Sequence, residues 1–427
     1  MISFILAEHP ILTISDGHGG TITYSYYDSY TWIVGALALA WILWFLIRRY
    51  RRAQAMKRQR RGTNYRLLKR IVRIKHEFSL LNLQPGFSRT IHAIGLGMLT
   101  TGEYCIQVFI SDPNQELWVG AGATPMPTSY RGVPVILVEM PLAGFLSNPA
   151  PAPFTAEAQY PNGIREHREV IIGGISGANT NLTGQSGTIG YFCTRKSKFT
   201  RRKEVHLLSN SHVFADLRKA AVDAGDLILQ PSPGEPGSNR PIAALVNFST
   251  LKFDGDLKDP NHIDAAIAKL WGPQQHKPVI PMIGTVKGYV AKKDIEIGEA
   301  ARKFGRTTGY TEGRIFSIYL DIWIRYDRTG QSAFFQNQFL IEPCSPQFTK
   351  FVSQGDSGSL LVDAGQHAIG LIFAGMSEVS ETTLPVANTK ASGGIDPARQ
   401  NLPKIESYGV ANPISEVLDG LKIDLLV

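Results

Sequence analysis

Eighteen residues from Tyr30 to Ile47 pass without a charge. As a helix rising about 1.5 Å per residue, this run spans roughly 27 Å, the thickness of a bilayer's hydrocarbon core. Trp32 with Tyr24, Tyr26, Tyr27 and Tyr30 at one end, and Trp44 at the other, are spaced as interfacial belts. Downstream the period changes. Leu67, Ile71, Ile74, Phe78 and Leu81 recur every three or four residues, which predicts a helix capped by Thr63 or Asn64 and ended by Gln84-Pro85-Gly86. Strand-like runs follow at Ile91–Leu99, Tyr104–Ile110 and Val133–Met140, completing a small α/β module over 64–140. Five prolines between 141 and 165 then mark an extended linker.

From Ile171 onward short apolar runs alternate with Gly, Pro, Asn and Asp. They fall at Thr188–Cys193, Val205–Leu208, Leu227–Leu229, Ile242–Phe248, Ala265–Leu270, Ile315–Ile324, Phe334–Ile341, Ser359–Val362 and Ala368–Phe373. This spacing predicts a mainly β domain over 166–427, an antiparallel barrel or sandwich closed by a helix from Pro413 to about Leu421.

Composition adds the topology. The chain has 427 residues, 43% hydrophobic and 19% charged, which excludes disordered, collagenous and coiled-coil classes. The net charge of +8 is local: thirteen Lys/Arg and no acid lie between Arg48 and Lys75, residues 1–29 carry −3, and 76–427 carry −2. Positive charge after the apolar run, not before it, argues for an anchor and against a cleaved signal peptide. The positive-inside rule then places 1–29 outside, a transmembrane helix over 30–47, and everything from a basic juxtamembrane segment over 48–63 onward in the cytoplasm. The run from Arg48 to Lys75 is expected against anionic lipid head groups. Without interleaved aromatics it is not expected to bind nucleic acid. Cys105, Cys193 and Cys344 form no CxxC pair, so neither a disulfide framework nor a zinc ribbon is expected. No metal-ligand set or cofactor loop appears, and the oligomeric state is open.

The chemistry sits in three short stretches. Gly355-Asp356-Ser357-Gly358-Ser359 sets a serine between glycines, and a serine needs a base in reach and backbone donors for an oxyanion. Leu207-Leu208-Ser209-Asn210-Ser211-His212-Val213 puts an imidazole directly after an apolar strand, and Asp264-Ala265-Ala266-Ile267-Ala268 opens another with a carboxylate. The order His, Asp, Ser, with gaps of 52 and 93 residues, is one of the orders in which catalytic triads occur. His206 and His262 are decoys by their flanks, and Asp254, Asp256 and Asp259 compete with Asp264 on a loop.

Together with Gly187-Thr188-Ile189-Gly190, Leu229-Gln230-Pro231, Gly305-Arg306-Thr307-Thr308-Gly309 and Gly370-Leu371-Ile372-Phe373-Ala374-Gly375, these stretches resemble a trypsin-like (chymotrypsin-fold) serine peptidase. The likeness is greatest to the group of bacterial trypsin-like and plant Narrow-leaf-type proteases, and covers about Gly173 to the C-terminus. Gly95-Leu96-Gly97 and Gly132-Val133-Pro134-Val135 extend it into the α/β module. The resemblance implies a chymotrypsin-like double β-barrel, with Ser357 as nucleophile, His212 as general base then acid, and Asp264 orienting His212. It also implies an oxyanion hole from the N–H groups of Gly355 and Ser357. Phe351 would floor the specificity pocket, with Phe373 and Gly375 on its wall. An uncharged floor disfavours Lys or Arg and favours small or medium apolar side chains. Ile171-Ile172-Gly173-Gly174 resembles the new N-terminus of activated trypsins, but Glu169-Val170 follows Arg168, so Asp356 is expected to find an internal partner. The expected activity is a membrane-anchored serine endopeptidase acting on protein or peptide substrates. The alternatives are a catalytically silent protease-fold scaffold or signalling protein at the membrane, and an esterase using the same triad.

Overall fold

The computed structural model describes residues 65–83, 91–110, 126–140, 163–182, 184–196, 204–217, 225–238, 240–253, 255–272, 274–326, 330–344, 347–377 and 405–427, with the backbone alone of short strands at 11–15, 21–25, 118–119, 124–125 and 143–144. Residues 1–70 and 71–427 form two compact units. In the first, β1 (Ile11–Ser15) pairs antiparallel with β2 (Thr21–Ser25). The expected span over 30–47 and the basic segment over 48–63 lie outside the described residues. Among the described residues no helix is long and apolar enough to cross a membrane.

Helix α1 covers 65–82. In the second unit it buries Ile71, Ile74, Lys75, Phe78, Ser79 and Asn82, while Leu81 stays 54% exposed. The buried face thus ends on Asn82, whose amide donates to the Phe78 carbonyl at 2.8 Å. Lys75 Nζ lies 2.7 Å from Asp321 Oδ2, both side chains fully buried. This corrects the expectation that the basic run meets head groups as far as Lys75: its last cation is inside the protein, because Asp321 supplies the counter-charge that burial demands.

Strands β3 (Ile91–Met98), β4 (Tyr104–Ile110), β5 (Ser129–Tyr130) and β6 (Val133–Glu139) follow. Residues 91–97 are buried along both faces of β3, the pattern of a strand covered on both sides. β4 and β6 run parallel, with Ile106 opposite Val135. From the predicted linker, Ala143–Gly144 forms a short strand, β7. Residues 145–162 lie outside the described residues.

The described part of the β-rich region holds two large sheets and two short two-stranded pairs, Val170–Ile171 with Gln275–His276 and Ile175–Ser176 with Thr188–Ile189. The first contains β8 (Ala178–Asn179), β9 (Tyr191–Arg195), β10 (Val205–Ser209), β11 (Leu227–Leu229), β12 (Pro241–Phe248) and β13 (Ala266–Leu270), in the order β8-β11-β12-β13-β10-β9. One-turn helix α2 (Ser211–Phe214) follows β10. The second contains β14 (Ala300–Gly305), β15 (Gly309–Tyr326), β16 (Gln331–Pro343), β17 (Leu360–Val362), β18 (Ala368–Ser377) and β19 (Ser407–Pro413). Helix α3 (Ile414–Leu421) and β20 (Ile423–Leu425) end the chain, β20 returning to β9 in the first sheet. The order β14-β17-β18-β19-β16-β15 closes on itself where β15 pairs β14, making a six-stranded barrel. β3 pairs with the C-terminal half of β15, with Ile94 opposite Asp321, so the α1 region and the barrel share one continuous eleven-stranded sheet. An apolar cluster of Tyr191, Phe192, Leu207, Phe214 and Ile267 fills the first sheet, and one of Ile322, Ile324, Phe335, Leu340 and Phe373 the second.

Candidate active site

His212 stands on α2, immediately beyond β10. The helix has no side-chain cap at Asn210. Instead, the Asn210 side-chain amide donates to the Asp264 carbonyl at 2.7 Å, and Ser211 Oγ donates to the Ala265 carbonyl at 2.8 Å. These two bonds tie the His212 turn to the start of β13. Asp264 is fully buried. Its Oδ1 accepts the His212 backbone N–H at 3.2 Å, and its Oδ2 lies 2.6 Å from His212 Nδ1. With the proton assigned to Nδ1, the carboxylate is the acceptor and Nε2 is left as the basic nitrogen.

Two further groups hold Asp264, one at its carboxylate and one at its backbone, and neither has a motif around it in the sequence. The Tyr326 hydroxyl, from the end of β15, donates to Asp264 Oδ2 at 2.9 Å, its ring edge-on to His212 with centroids 6.2 Å apart. Burial, then the Asp264 charge, pushes the Tyr326 phenol well above its ordinary range, so it stays a donor. The Asp264 backbone N–H donates to Asn412 Oδ1 at 2.9 Å, and Asn412 Nδ2 donates to Gln338 Oε1 at 2.7 Å. Three strands of the second sheet therefore fix Asp264, which stands just before a strand of the first.

The Ser357 loop is tied across the same seam by Thr188. The Thr188 N–H donates to the Ser357 carbonyl at 2.8 Å, and Thr188 Oγ1 donates to the Gly355 carbonyl at 2.8 Å. Ser209, on the strand that leads into His212, donates through Oγ to the Thr188 carbonyl at 2.8 Å. Gly355 and Gly358 have φ of +92° and +94°, a left-handed conformation that a side chain would oppose. At Gly355 space forbids one too: a Cβ would fall 2.5 Å from Thr307 Oγ1. Ser357 Oγ lies 3.5 Å from the Phe373 carbonyl oxygen.

The peptide joining Gln354 to Gly355 is fixed in orientation. Thr307 Oγ1 donates to the Gln354 carbonyl and accepts from Arg306 Nη1 at 3.1 Å. Arg306 is itself anchored by Nε to Glu235 Oε1 at 2.8 Å. A trans peptide points its N–H opposite to its C=O, so the Thr307 bond sets the direction of the Gly355 N–H. Among the described residues no protein acceptor engages the Gly355 or Ser357 amide.

Asp356 has the internal partner that was expected. Lys303 Nζ lies 3.3 Å from Asp356 Oδ2, both side chains fully buried. Burial draws the Lys303 ammonium below its usual range and the Asp356 charge opposes that shift. The backbone N–H groups of Thr307 and Thr308 donate to Asp356 Oδ1 at 2.8 and 3.1 Å, Thr308 Oγ1 to Oδ2 at 2.7 Å, and the Ser353 N–H to Oδ2 at 2.9 Å. The turn over 305–309 thus cradles an anion, and the anion is a side chain of the protein. Strand alternation carried little signal for Lys303, because Phe304 on the opposite face of the strand is as fully buried as Lys303 is.

Phe351 is fully buried between Gly313 and Gly409, where a Cβ at either glycine would come within 3 Å of its ring (2.9 and 2.6 Å). Lys303 Nζ lies 5.9 Å from its centroid. The Phe373 ring turns from Ser357 into the core, 4.7 Å from Phe335, leaving its backbone to face the serine. Gly375 pairs with Gly409 on the neighbouring strand. His206 and Asp259 lie in other contacts, with the Glu204 carbonyl and with Lys252. Cys105, Cys193 and Cys344 are free. Among the described residues no His, Cys, Asp or Glu cluster has the makings of a metal site.

No protein-family model matches the sequence, and no curated protein matches it. Solved structures similar to it include Thermobifida fusca protease A, at 17% identity over 60% of this chain and 99% of that one, with a TM-score of 0.35. Cellulomonas bogoriensis chymotrypsin follows at 16% identity, 60% and 98% coverage and a TM-score of 0.35. Nocardiopsis protease stands at 17% identity, 60% and 99% coverage and a TM-score of 0.35. These structural neighbours are proteases, and the chain is mainly β.

Proposed function

We propose that the protein is a serine endopeptidase whose nucleophile is Ser357, whose base is His212 and whose orienting carboxylate is Asp264. The observation that carries this reading is the buried His212–Asp264 contact at 2.6 Å, with a Gly-Asp-Ser-Gly turn that Thr188 and Ser209 tie to the strand leading into His212. In the reaction, Ser357 Oγ attacks the scissile carbonyl as His212 Nε2 takes its proton. The oxyanion forms toward the amides of Gly355 and Ser357. His212 returns the proton to the leaving amine, and water then hydrolyses the acyl-enzyme with His212 again as base. Asp264 and Tyr326 hold the imidazole through both halves. Phe351, backed by a buried cation, makes the pocket floor inhospitable to Lys and Arg and suited to apolar side chains.

Labelling with a fluorophosphonate probe tests the chemistry: labelling of the wild type that is lost in Ser357→Ala supports the triad, and none in the wild type sinks it. We propose further that residues 30–47 anchor the chain with the peptidase on the cytoplasmic face, on the strength of the uncharged run and the cations that follow it. Protease digestion of sealed vesicles tests that topology; a C-terminus shielded in the lumen would reverse it.

A further inference from the structure

Strand β18 has two edges. One pairs with β19 from Gly370 to Ser377. The other pairs with β17 only as far as Leu371. Past Leu371 this second edge begins at the nucleophile, because the Phe373 carbonyl lies 3.5 Å from Ser357 Oγ. A peptide that offers a carbonyl to Ser357 and leaves along this edge adds to β18 as a strand. Its acyl half must run toward Ser357, so it lies antiparallel to β18, which runs away from it.

That place and that polarity are already taken. β7 pairs antiparallel with β18, Gly144 opposite Gly375 and Ala143 opposite Met376, and it also lies parallel beside Arg325 of β15. Its direction, from Ala143 to Gly144, is toward Ser357. Gly375 is two residues from Phe373, so Gly144 sits about two strand positions upstream of the nucleophile. With glycine on both chains at this pair, no side chain separates the backbones.

We infer that Ala143–Gly144 occupies the edge that docks the acyl half of an extended peptide substrate, so that the enzyme restrains itself and substrate must displace its own chain. The inference rests on the peptidase reading. It also says which substrates feel the restraint: those extending two or more residues to the acyl side of the scissile bond. A fluorophosphonate, which needs only Ser357 and the oxyanion donors, is indifferent to it. A segment that holds the edge nine-tenths of the time costs an extended substrate about tenfold in apparent affinity.

Two variants of the full chain test this, both made with the exposed Cys344 changed to Ser. Gly144→Pro removes an edge N–H and disfavours pairing. It is expected to hydrolyse casein about tenfold faster than the parent, with Ser357 labelling by fluorophosphonate within twofold. Ala143→Cys with Met376→Cys joins facing residues, whose separation in an antiparallel pair is within disulfide reach. When oxidised it is expected to lose casein hydrolysis yet keep labelling, and to regain hydrolysis on reduction. Equal casein rates in the oxidised and reduced forms overturn the inference, as does failure of the disulfide to form. Absence of Ser357-dependent labelling in the parent would instead overturn the peptidase reading itself.

Discussion

Asp264 shows how much a single buried charge asks of its surroundings. A carboxylate with no exposure is tolerable only when donors replace the lost water, and here the His212 backbone N–H, the His212 ring and the Tyr326 hydroxyl do so. Tyr326→Phe removes one donor to that carboxylate and keeps the ring. A hydrogen bond to a charged group contributes about 1.5–3 kcal/mol, so kcat should fall by roughly tenfold or more with KM little changed, as read in steady-state assays on a peptide ester. Thr307 makes a sharper case, because it acts through a peptide plane. Thr307→Val keeps the shape but loses the bond to the Gln354 carbonyl, freeing the Gly355 N–H to turn away. The expected loss in kcat is about 10²-fold, the usual cost of one oxyanion donor, with Thr307→Ser restoring most of it. A Thr307→Val enzyme with wild-type kcat would show that the orientation is held elsewhere.

At the scale of elements, periodicity served well where one face decides. Leu227–Leu229 was legible to the residue, and the last helix was legible from Pro413. It failed where polar residues are paired rather than exposed. The run Ile315–Ile324 is the middle of an eighteen-residue strand, because Thr311, Glu312 and Arg314 before it pair with β14. Ser407–Pro413 is a central barrel strand that a Gly, an Asn and a Pro disguise as loop, and its Asn412 is what reaches Asp264. The stretches around His212, Asp264 and Ser357 stood out because each carries a local motif; Tyr326, Asn412 and Lys303 were not singled out, because their contacts exist only across strands. β3 adds a group that neither motif nor function explains. His92 is fully buried with both ring nitrogens unbonded, and burial alone draws its pKa down to about 4 from 6.5. The unfolded chain binds that proton first as pH falls, so stability is intact above pH 6.5 and is lost progressively down to about pH 4. His92→Leu should escape this loss. Its stability relative to wild type should improve by about 2–3 kcal/mol between pH 7.5 and pH 4.5, measured as the shift in urea midpoints.

At the scale of the molecule, α1 is joined to the same strand that reaches Asp264. Its Lys75 is buried against Asp321 on β15, and five residues further along that strand Tyr326 holds Asp264. Its His76 and Gln336 on β16 are 2.9 Å apart, and Phe78 stacks near Tyr130 with centroids 5.1 Å apart. A helix that served only as a spacer would not be bolted on by a buried ion pair. Removing one partner of such a pair costs roughly 3–5 kcal/mol, since the other is left charged in the dry interior. Two truncations therefore part company. A chain beginning at residue 65 keeps α1 but loses the proposed anchor: it should leave the membrane fraction on flotation and still label at Ser357. A chain beginning at residue 91 keeps every strand of the eleven-stranded sheet but strands Asp321 and bares the face that Ile71, Ile74 and Phe78 cover, so it should aggregate or melt far below the first. Adding Asp321→Leu to the shorter chain removes the stranded charge and should recover part of the difference. If the shorter chain instead labels and melts like the longer one, α1 is a passive addition to the sheet and its buried ion pair supports neither fold nor site.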